Sequence, residues 1–486
     1  MTLSSAINSA QSSLSNYATQ TNILSRNISN ASNVDYSRRN AVLATSLVGA
    51  QVVTIQRAQD EVLFRKSISS TSTASGQSTL LSGLTNLKDI FGGNDYESAP
   101  ATMIATMRDT LSSYAAKPGE STLAQTAIAD ANTVAIGLRD ASAAVQNVRL
   151  QADQEISRQV HTLNELLADF ETNNNAIYSG TQTGRDVSAE LDHRDSLLKR
   201  ISEIIGVTTV SRSGNDMAIY TSDGTTLFET VARPVTFEAS SGFAAGIEGK
   251  AIYVDGVALA PGNGATTTAR GSLQALLQVR DVYAPTMQRQ LDEIARALIV
   301  TFAETDQSAV PTLADAPGLF TWGGGTVPGS TMVAGIAATI SVNPALVQSL
   351  GGNPQLLRDG GINGAAYIAN TAGNAGFSTR LDSYVLALDT PMAFDPAAGL
   401  SASVSVLDFA ADSIGWLELN RSEANSSYET REATRYRSAE ALSNKTGVSL
   451  DEEMSMLLEL EQAYKAAARL ISVVDEMLKA LMAAAG

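Results

Sequence analysis

The chain has 486 residues, a formal net charge of −17, no cysteine, and 44% hydrophobic against 17% charged residues. That length and balance fit two to four folded domains and exclude disorder throughout, and an acidic excess without any basic stripe excludes nucleic acid as a partner. The lack of cysteine rules out disulfides, thiolate metal sites and cysteine nucleophiles, while aromatics at only 5% favour long thin helices over one broad core.

The first predicted element is a helix with apolar residues at Leu3, Ile7, Ala10, Leu14, Tyr17, Leu24, Ile28 and Ala31, a heptad-like stepping broken only at Thr21. Such a seam needs a partner helix, because a lone amphipathic helix gains little by folding in water. The polar face is Ser, Asn, Thr and Gln, with Arg26 its only charge before Asp35. Solvated helix faces normally carry many charges, so this one reads as a surface meant to be buried against other copies. Residues 33–39 break the pattern, and Val52, Val53 and Ile55 bring period-two, β-like character. Helix returns near Asp60. Gly92-Gly93-Asn94-Asp95 marks a turn, and a further helix over 103–114 ends at Pro118-Gly119.

The longest helical stretch is 120–178, about 85 Å at ~1.5 Å per residue. Its seam runs Ala127, Val134, Leu138, Ala141, Val145, Val148, Ala152, Ile156, Val160, Leu163, Leu167 and Phe170, and the steps of four from Val148 to Val160 interrupt the heptad as a stutter does. Beyond Gly206 short β-like runs at 207–210, 217–220, 227–231 and 251–257 are punctuated by Asp223-Gly224 and Asp255-Gly256 turns. A helical stretch over 271–304 contains Pro285, which predicts a kink or a split. Residues 311–373 read as short strands and loops, and helices resume from Asn374, the longest over 401–443.

At the far end Leu450, Leu457, Leu460, Tyr464, Ala467, Ile471, Val474, Leu478 and Leu481 repeat the stepping of the first helix. The predicted fold is mainly α with a β-rich inserted region: an elongated molecule whose N- and C-terminal helices pair as an antiparallel coiled coil, followed by a long helical rod and a β-rich tip. The corresponding domains are 1–40 with 447–486, 41–205 with 271–306 and 375–446, and 207–270 with 307–374. No apolar run reaches membrane-span length, and no cleavable signal peptide is expected at the N-terminus.

Asn27-Ile28-Ser29-Asn30-Ala31 followed by Tyr36-Ser37-Arg38 resembles the N-terminal signature of bacterial flagellar rod, hook and hook-associated proteins. The Tyr-Ser-Arg ending is similar to the hook-associated protein 1 family, the first hook–filament junction proteins, although Asn33-Val34-Asp35 stands where the wider family usually has Thr-Pro-Gly. Leu191-Asp192-His193-Arg194-Asp195-Ser196-Leu197-Leu198, the block from Gly271-Ser272-Leu273 to Ile294-Ala295, and the C-terminal Gly447-to-Met454 and Gln462-Ala463-Tyr464-Lys465 stretches extend the resemblance. Ala303-Glu304-Thr305 departs from it, since Asn usually follows the Phe302-type position.

The resemblance implies a non-enzymatic structural subunit at the hook–filament junction, secreted through the flagellar type III channel to the extracellular flagellum and needing no cofactor. Its implied partners are other copies of itself, the hook protein, the second hook–filament junction protein, and a cytosolic export chaperone at the C-terminal helix. The expected assembly interface is the two seams: Leu3, Ile7, Leu14, Tyr17, Leu24 and Ile28 with Leu457, Leu460, Tyr464, Ile471, Val474 and Leu478. Patterning alone also fits an ordinary intramolecular hairpin. The alternative functions are another axial subunit, hook or filament protein, or a secreted adhesin or enzyme active in the β-rich middle.

Candidate chemistry is sparse. Asp192, His193 and Asp195 read as helix-surface charge pairs rather than a metal or acid–base site, since His193 points away from the two carboxylates. His161 reads as a solvated side chain. Asp451-Glu452-Glu453 reads as acids opening a helix, where they favour the macrodipole. Gly323-Gly324-Gly325 lacks the Lys and Ser/Thr of a phosphate loop, and no hydrolase elbow or zinc-protease motif occurs.

Overall fold

The computed structural model describes residues 3–46 and 49–485. Helix α1, Leu3–Ser29, leads into an antiparallel hairpin of β1, Arg39–Ser46, and β2, Gly49–Arg57, bulged between Val42 and Leu43. The hairpin packs on α1, where the Val52 N–H donates to Asn16 Oδ1 at 3.0 Å. Residues 41–57, grouped with the rod by sequence, therefore lie against the terminal helix. Helix α2, Glu61–Asp89, begins where the Asp60 carboxylate accepts the Leu63 N–H at 2.9 Å. Helix α3, Pro100–Ala116, begins on a proline, whose missing N–H has no helical partner to lose there.

Helix α4, Ser121–Gln182, runs unbroken for 62 residues, about 93 Å at ~1.5 Å per residue. It serves two cores in turn. Up to Val148 its seam belongs to a core that also holds α3, the later helices and residues 319–357; from Ala152 onward it belongs to a second core with α5, Ser188–Ile204, and the strands that follow. The change falls on the steps of four at Val148, Ala152, Ile156 and Val160, which rotate the apolar stripe around the helix and aim it at a different neighbour.

After α5 come β3, Val207–Ser211, β4, Met217–Thr221, and β5, Thr226–Phe228, in one antiparallel sheet, then the small sheet of β6, Val235–Thr236, β7, Tyr253–Val254, and β8, Val257–Ala258. Helix α6, Ser272–Gln278, passes through a π-turn at Val279–Tyr283 into α7, Ala284–Thr301. The wide turn directly precedes Pro285, whose ring would otherwise press on the carbonyl one turn back, so the predicted kink takes this form. The π-turn also points Arg280 inward, fully buried, to Asp153 at 2.6 Å, and Asp153 in turn accepts the Ser240 N–H at 2.7 Å. These contacts fasten the loop before β7 onto α4.

The remaining elements are the pair β9, Phe320–Thr321, and β10, Ser341–Val342; the short α8, Leu356–Asp359; α9, Thr379–Asp389; the pair β11, Met392–Ala393, and β12, Ser403–Val404; then α10, Val406–Thr446, and α11, Leu450–Ala485. Edge-to-face Phe302–Phe320 (5.5 Å) and stacked Phe394–Phe409 (3.9 Å) fill the first core, and Phe170–Phe228 (5.1 Å) the second. Glu304, the departure noted in the sequence, is fully buried and accepts the Ile362 and Asn363 N–H groups, the Asn363 amide and Arg380, so it pins the 362–363 turn.

The fold is mainly α and elongated, with the terminal helices side by side. The two segments expected to share a β-rich tip instead contribute to different cores, 207–259 to the second and 319–357 to the first. The cause is α4: it returns the chain along the rod, so β3 ends beside the start of α2, where Ser211 Oγ donates to Glu61 at 3.2 Å.

Candidate functional site: the terminal helix pair and the polar knot at its base

Helices α1 and α11 pack along one another, and the last turn of α1 meets the first turn of α11, which makes the pair antiparallel. Leu24 and Val474 are buried; Ile7, Leu14, Tyr17 and Ile28 on one helix and Leu457, Leu460, Ile471 and Leu478 on the other are half-buried. Leu3 opens the helix, but its side chain lies outside the described residues. Tyr464, with Leu450 and Leu481 from the same predicted seam, is exposed. Two helices shield one narrow stripe, and residues at its margins stay in solvent. Sequence reading missed a second stripe on α11, Leu470, Val473 and Met477, which steps by three and four towards Leu481 and is 49% to 54% exposed. Its signal was present in the spacing, but it overlaps the first heptad and reads as part of one broad apolar face.

The base of the pair is a polar knot built on Asn27. This side chain is fully buried in the last turn of α1. Its Oδ1 accepts from the Tyr36 hydroxyl at 2.8 Å and the Arg39 N–H at 3.1 Å, while its Nδ2 donates to the Arg39 carbonyl at 2.9 Å and to Glu453 at 2.8 Å. Two donors and two acceptor positions are all an amide has, and every one is used. Glu453, also fully buried, takes Arg38 Nε at 2.6 Å on its other oxygen, and Arg38 reaches Glu452 at 3.1 Å. The Arg38 N–H donates to the Thr446 carbonyl at 2.8 Å, where α10 gives way to α11.

Hairpin cations bind the rod. Arg39 and Arg57, register partners at the open end of the hairpin, clamp Asp192 of α5 at 3.2 and 3.1 Å, and Arg57 also holds Asp195 at 2.6 Å. The Ser37 N–H adds a third donor to Asp192, and Lys199 pairs with Asp35 at 2.9 Å. Burial pushes the Asp192 carboxyl up, and the two guanidiniums offset only part of this. Burial likewise raises the Tyr36 hydroxyl. At Asp35 burial acts in the same direction but Lys199 outweighs it, leaving the carboxyl low.

Asp192 is therefore no surface pair, and Glu453 is more than a helix-opening acid. The acids do open α11, but what Asp192 and Glu453 bind could not be read locally, because their partners lie 153 and 415 residues away. A signal existed in Arg38, Arg39 and Arg57 bracketing the predicted β-like stretch, since three cations beside a weakly charged helix require acids from elsewhere. The chemistry of the knot is fastening. Its carboxylates are committed to guanidiniums, and His193 is exposed beside a shallow cavity of about 330 Å³ lined by Asn33, Asp35, Tyr36 and Ser196. His161 is exposed, 3.2 Å from Glu165. Among the described residues no three metal-binding side chains cluster, and no helix is long and apolar enough to cross a membrane.

Comparison with known proteins adds the following. Residues 84–318 match the family model for the flagellar hook-associated protein FlgK helical domain, and residues 441–484 that for the flagellar basal body rod FlgEFG protein C-terminal region. Flagellar hook-associated protein 1 of Bacillus subtilis (strain 168) is 25% identical over 361 residues, covering 69% of this chain and 66% of its own length, slightly less than two thirds. The solved structure of the flagellar hook junction protein FlgK from Burkholderia pseudomallei is 21% identical over 53% of this chain and 47% of that chain, with a TM-score of 0.43.

Proposed function

Because the chain belongs to the FlgK family of flagellar hook-associated proteins, we propose that it is a structural subunit of the bacterial flagellum that forms the junction layer between hook and filament. The observation that carries this reading is the incomplete burial of the terminal pair. The second stripe of α11 and the charge-poor face of α1 are surfaces that a single chain leaves open, and packing against further helices removes them from water. In this reading other copies of the chain cover them within the layer, the hook protein and the second junction protein cover them at its two faces, and a cytosolic chaperone shields the α11 seam beforehand. The terminal pair, 1–40 with 447–486, is the assembling domain and the two cores are what it carries. The same marginal burial suits type III export to the extracellular flagellum, since α1 without α11 has too little contact to hold its helix. The role requires no catalysis and no cofactor.

The test places a carboxylate on each half-buried seam, Leu14→Asp and Ile471→Asp, in the source strain. Bare hooks with filament protein shed to the medium are expected, while the purified variants retain the cooperative unfolding of the rod cores. Normal filaments on either variant would sink the proposal.

A further inference from the structure

The sequence contains two Asn-Gly pairs, Asn263-Gly264 and Asn363-Gly364, each followed by Ala. Such pairs are where a protein amide is lost most readily, because glycine lets the following backbone nitrogen reach the Asn side chain. The fold treats the two oppositely. At Asn363 the side-chain amide donates to Glu304 and to the Pro317 carbonyl, both at 2.8 Å, and the Gly364 N–H that would attack is engaged by the Gly361 carbonyl at 3.2 Å. Asn263 is exposed, and among the described residues neither its side-chain amide nor the Gly264 N–H has a hydrogen-bond partner. Gly264 adopts φ +75° with open space around it.

We propose that Asn263 is a site of spontaneous deamidation that ages the folded protein, and that Asn363 is protected. The Gly264 nitrogen attacks Asn263 Cγ; the new C–N bond forms as the C–NH₂ bond breaks, and ammonia leaves with the proton given up by the nitrogen. Water then opens the five-membered imide at either carbonyl, giving aspartate or isoaspartate, with no change of oxidation state.

The position gives the reaction a consequence. The four carbonyls that follow Asn263 tie three helices together: Gly264 O accepts Gln278 of α6 at 2.8 Å, Ala265 O accepts Gln77 of α2 at 2.8 Å, and Thr266 O and Thr267 O accept Arg431 of α10 at 2.9 and 2.7 Å. Isoaspartate inserts one methylene into the main chain immediately before this run and adds a negative charge, so the clasp loosens as the protein ages.

The test incubates the intact chain in mildly alkaline buffer at body temperature and follows both sites by peptide mass mapping, with isoaspartate located by methylation with an isoaspartyl methyltransferase. Asn263 is expected to convert at least ~10-fold faster than Asn363, and this gap should shrink when the incubation is repeated in denaturant, where the local sequences compete alone. Aged wild type should show faster amide exchange at Gln77 and Gln278, and an Asn263→Gln chain aged in parallel should not. Equal conversion of the two sites in the folded chain, no conversion at Asn263, or a gap that persists undiminished in denaturant overturns the proposal.

Discussion

Replacing Asn27 by alanine tests the knot directly. The substitution removes four hydrogen bonds at once. The Tyr36 hydroxyl is partly exposed and can turn to water, and the Arg39 carbonyl loses its contact with the Asn27 amide. The Arg39 N–H and one Glu453 oxygen, however, are left buried without a partner. Each stranded group costs ~1–3 kcal/mol, so two give about 3 kcal/mol after local relaxation, within the range of large single-site effects. The loss should be local, because neither core includes this residue. Native-state hydrogen exchange is the assay: α1, the hairpin and the first turn of α11 should lose protection on the order of 100-fold, while the seam of α4 keeps its own. Asn27→Asp, of identical shape, should do at least as much harm, since it places a second carboxylate against Glu453. Unchanged protection of α1 in the alanine variant would refute the claim that the knot holds the pair to the rod.

Two further outcomes are expected. Asp292 of α7 is buried without a cation; burial raises its carboxyl to about 6 although it accepts the Gly335 and Ala337 N–H groups. A carboxyl raised on folding binds its proton more tightly in the native state, so its contribution to stability is most favourable near pH 4 and declines as pH climbs to about 6, by ~3 kcal/mol at most. Urea unfolding of wild type and Asp292→Asn between these limits should show the variant gaining on wild type as pH rises, and a pH-independent difference would contradict the assignment. Asp153→Ala leaves the buried Arg280 with only Asp281 as its ionic partner and frees the Ser240 N–H; a loss of about 3 kcal/mol in urea unfolding is expected, and a loss below ~1 kcal/mol would show that Asp281 alone satisfies the guanidinium.

Much of the fold was legible because it is periodic. The α4 seam reads off from Ala127 to Phe170, the stutter at Val148 marks where one core hands over to the next, and Pro285 announces the break between α6 and α7. The short strands at 207–221 are equally plain, separated by a Gly214 turn of φ +72°. What local pattern cannot carry is placement. The sheet of β3–β5 is expected far from the terminal helices by local pattern, but the unbroken α4 carries the chain back along the rod to the start of α2. The knot was hidden for the same reason: Asn27, Arg39, Asp192 and Glu453 each look ordinary beside their sequence neighbours, and only the tertiary fold makes them one object. On the proposed assembly surface, burial separates Val474 from Tyr464 where the heptad treats them alike.

The contact between Asn27 and Glu453 spans 426 positions of the chain. Closing a flexible loop of that length costs about 5 kcal/mol in chain entropy, more than two hydrogen bonds return. Once α2 to α10 have formed, the same closure joins the ends of a rigid body and costs little. The pairing of α1 with α11 thereby draws on closures already made, above all that of α2 on α10, where Gln77 donates to the Ala424 carbonyl across 347 residues. Helix α1 gains α11 as its neighbour only when the body between the two helices is in place.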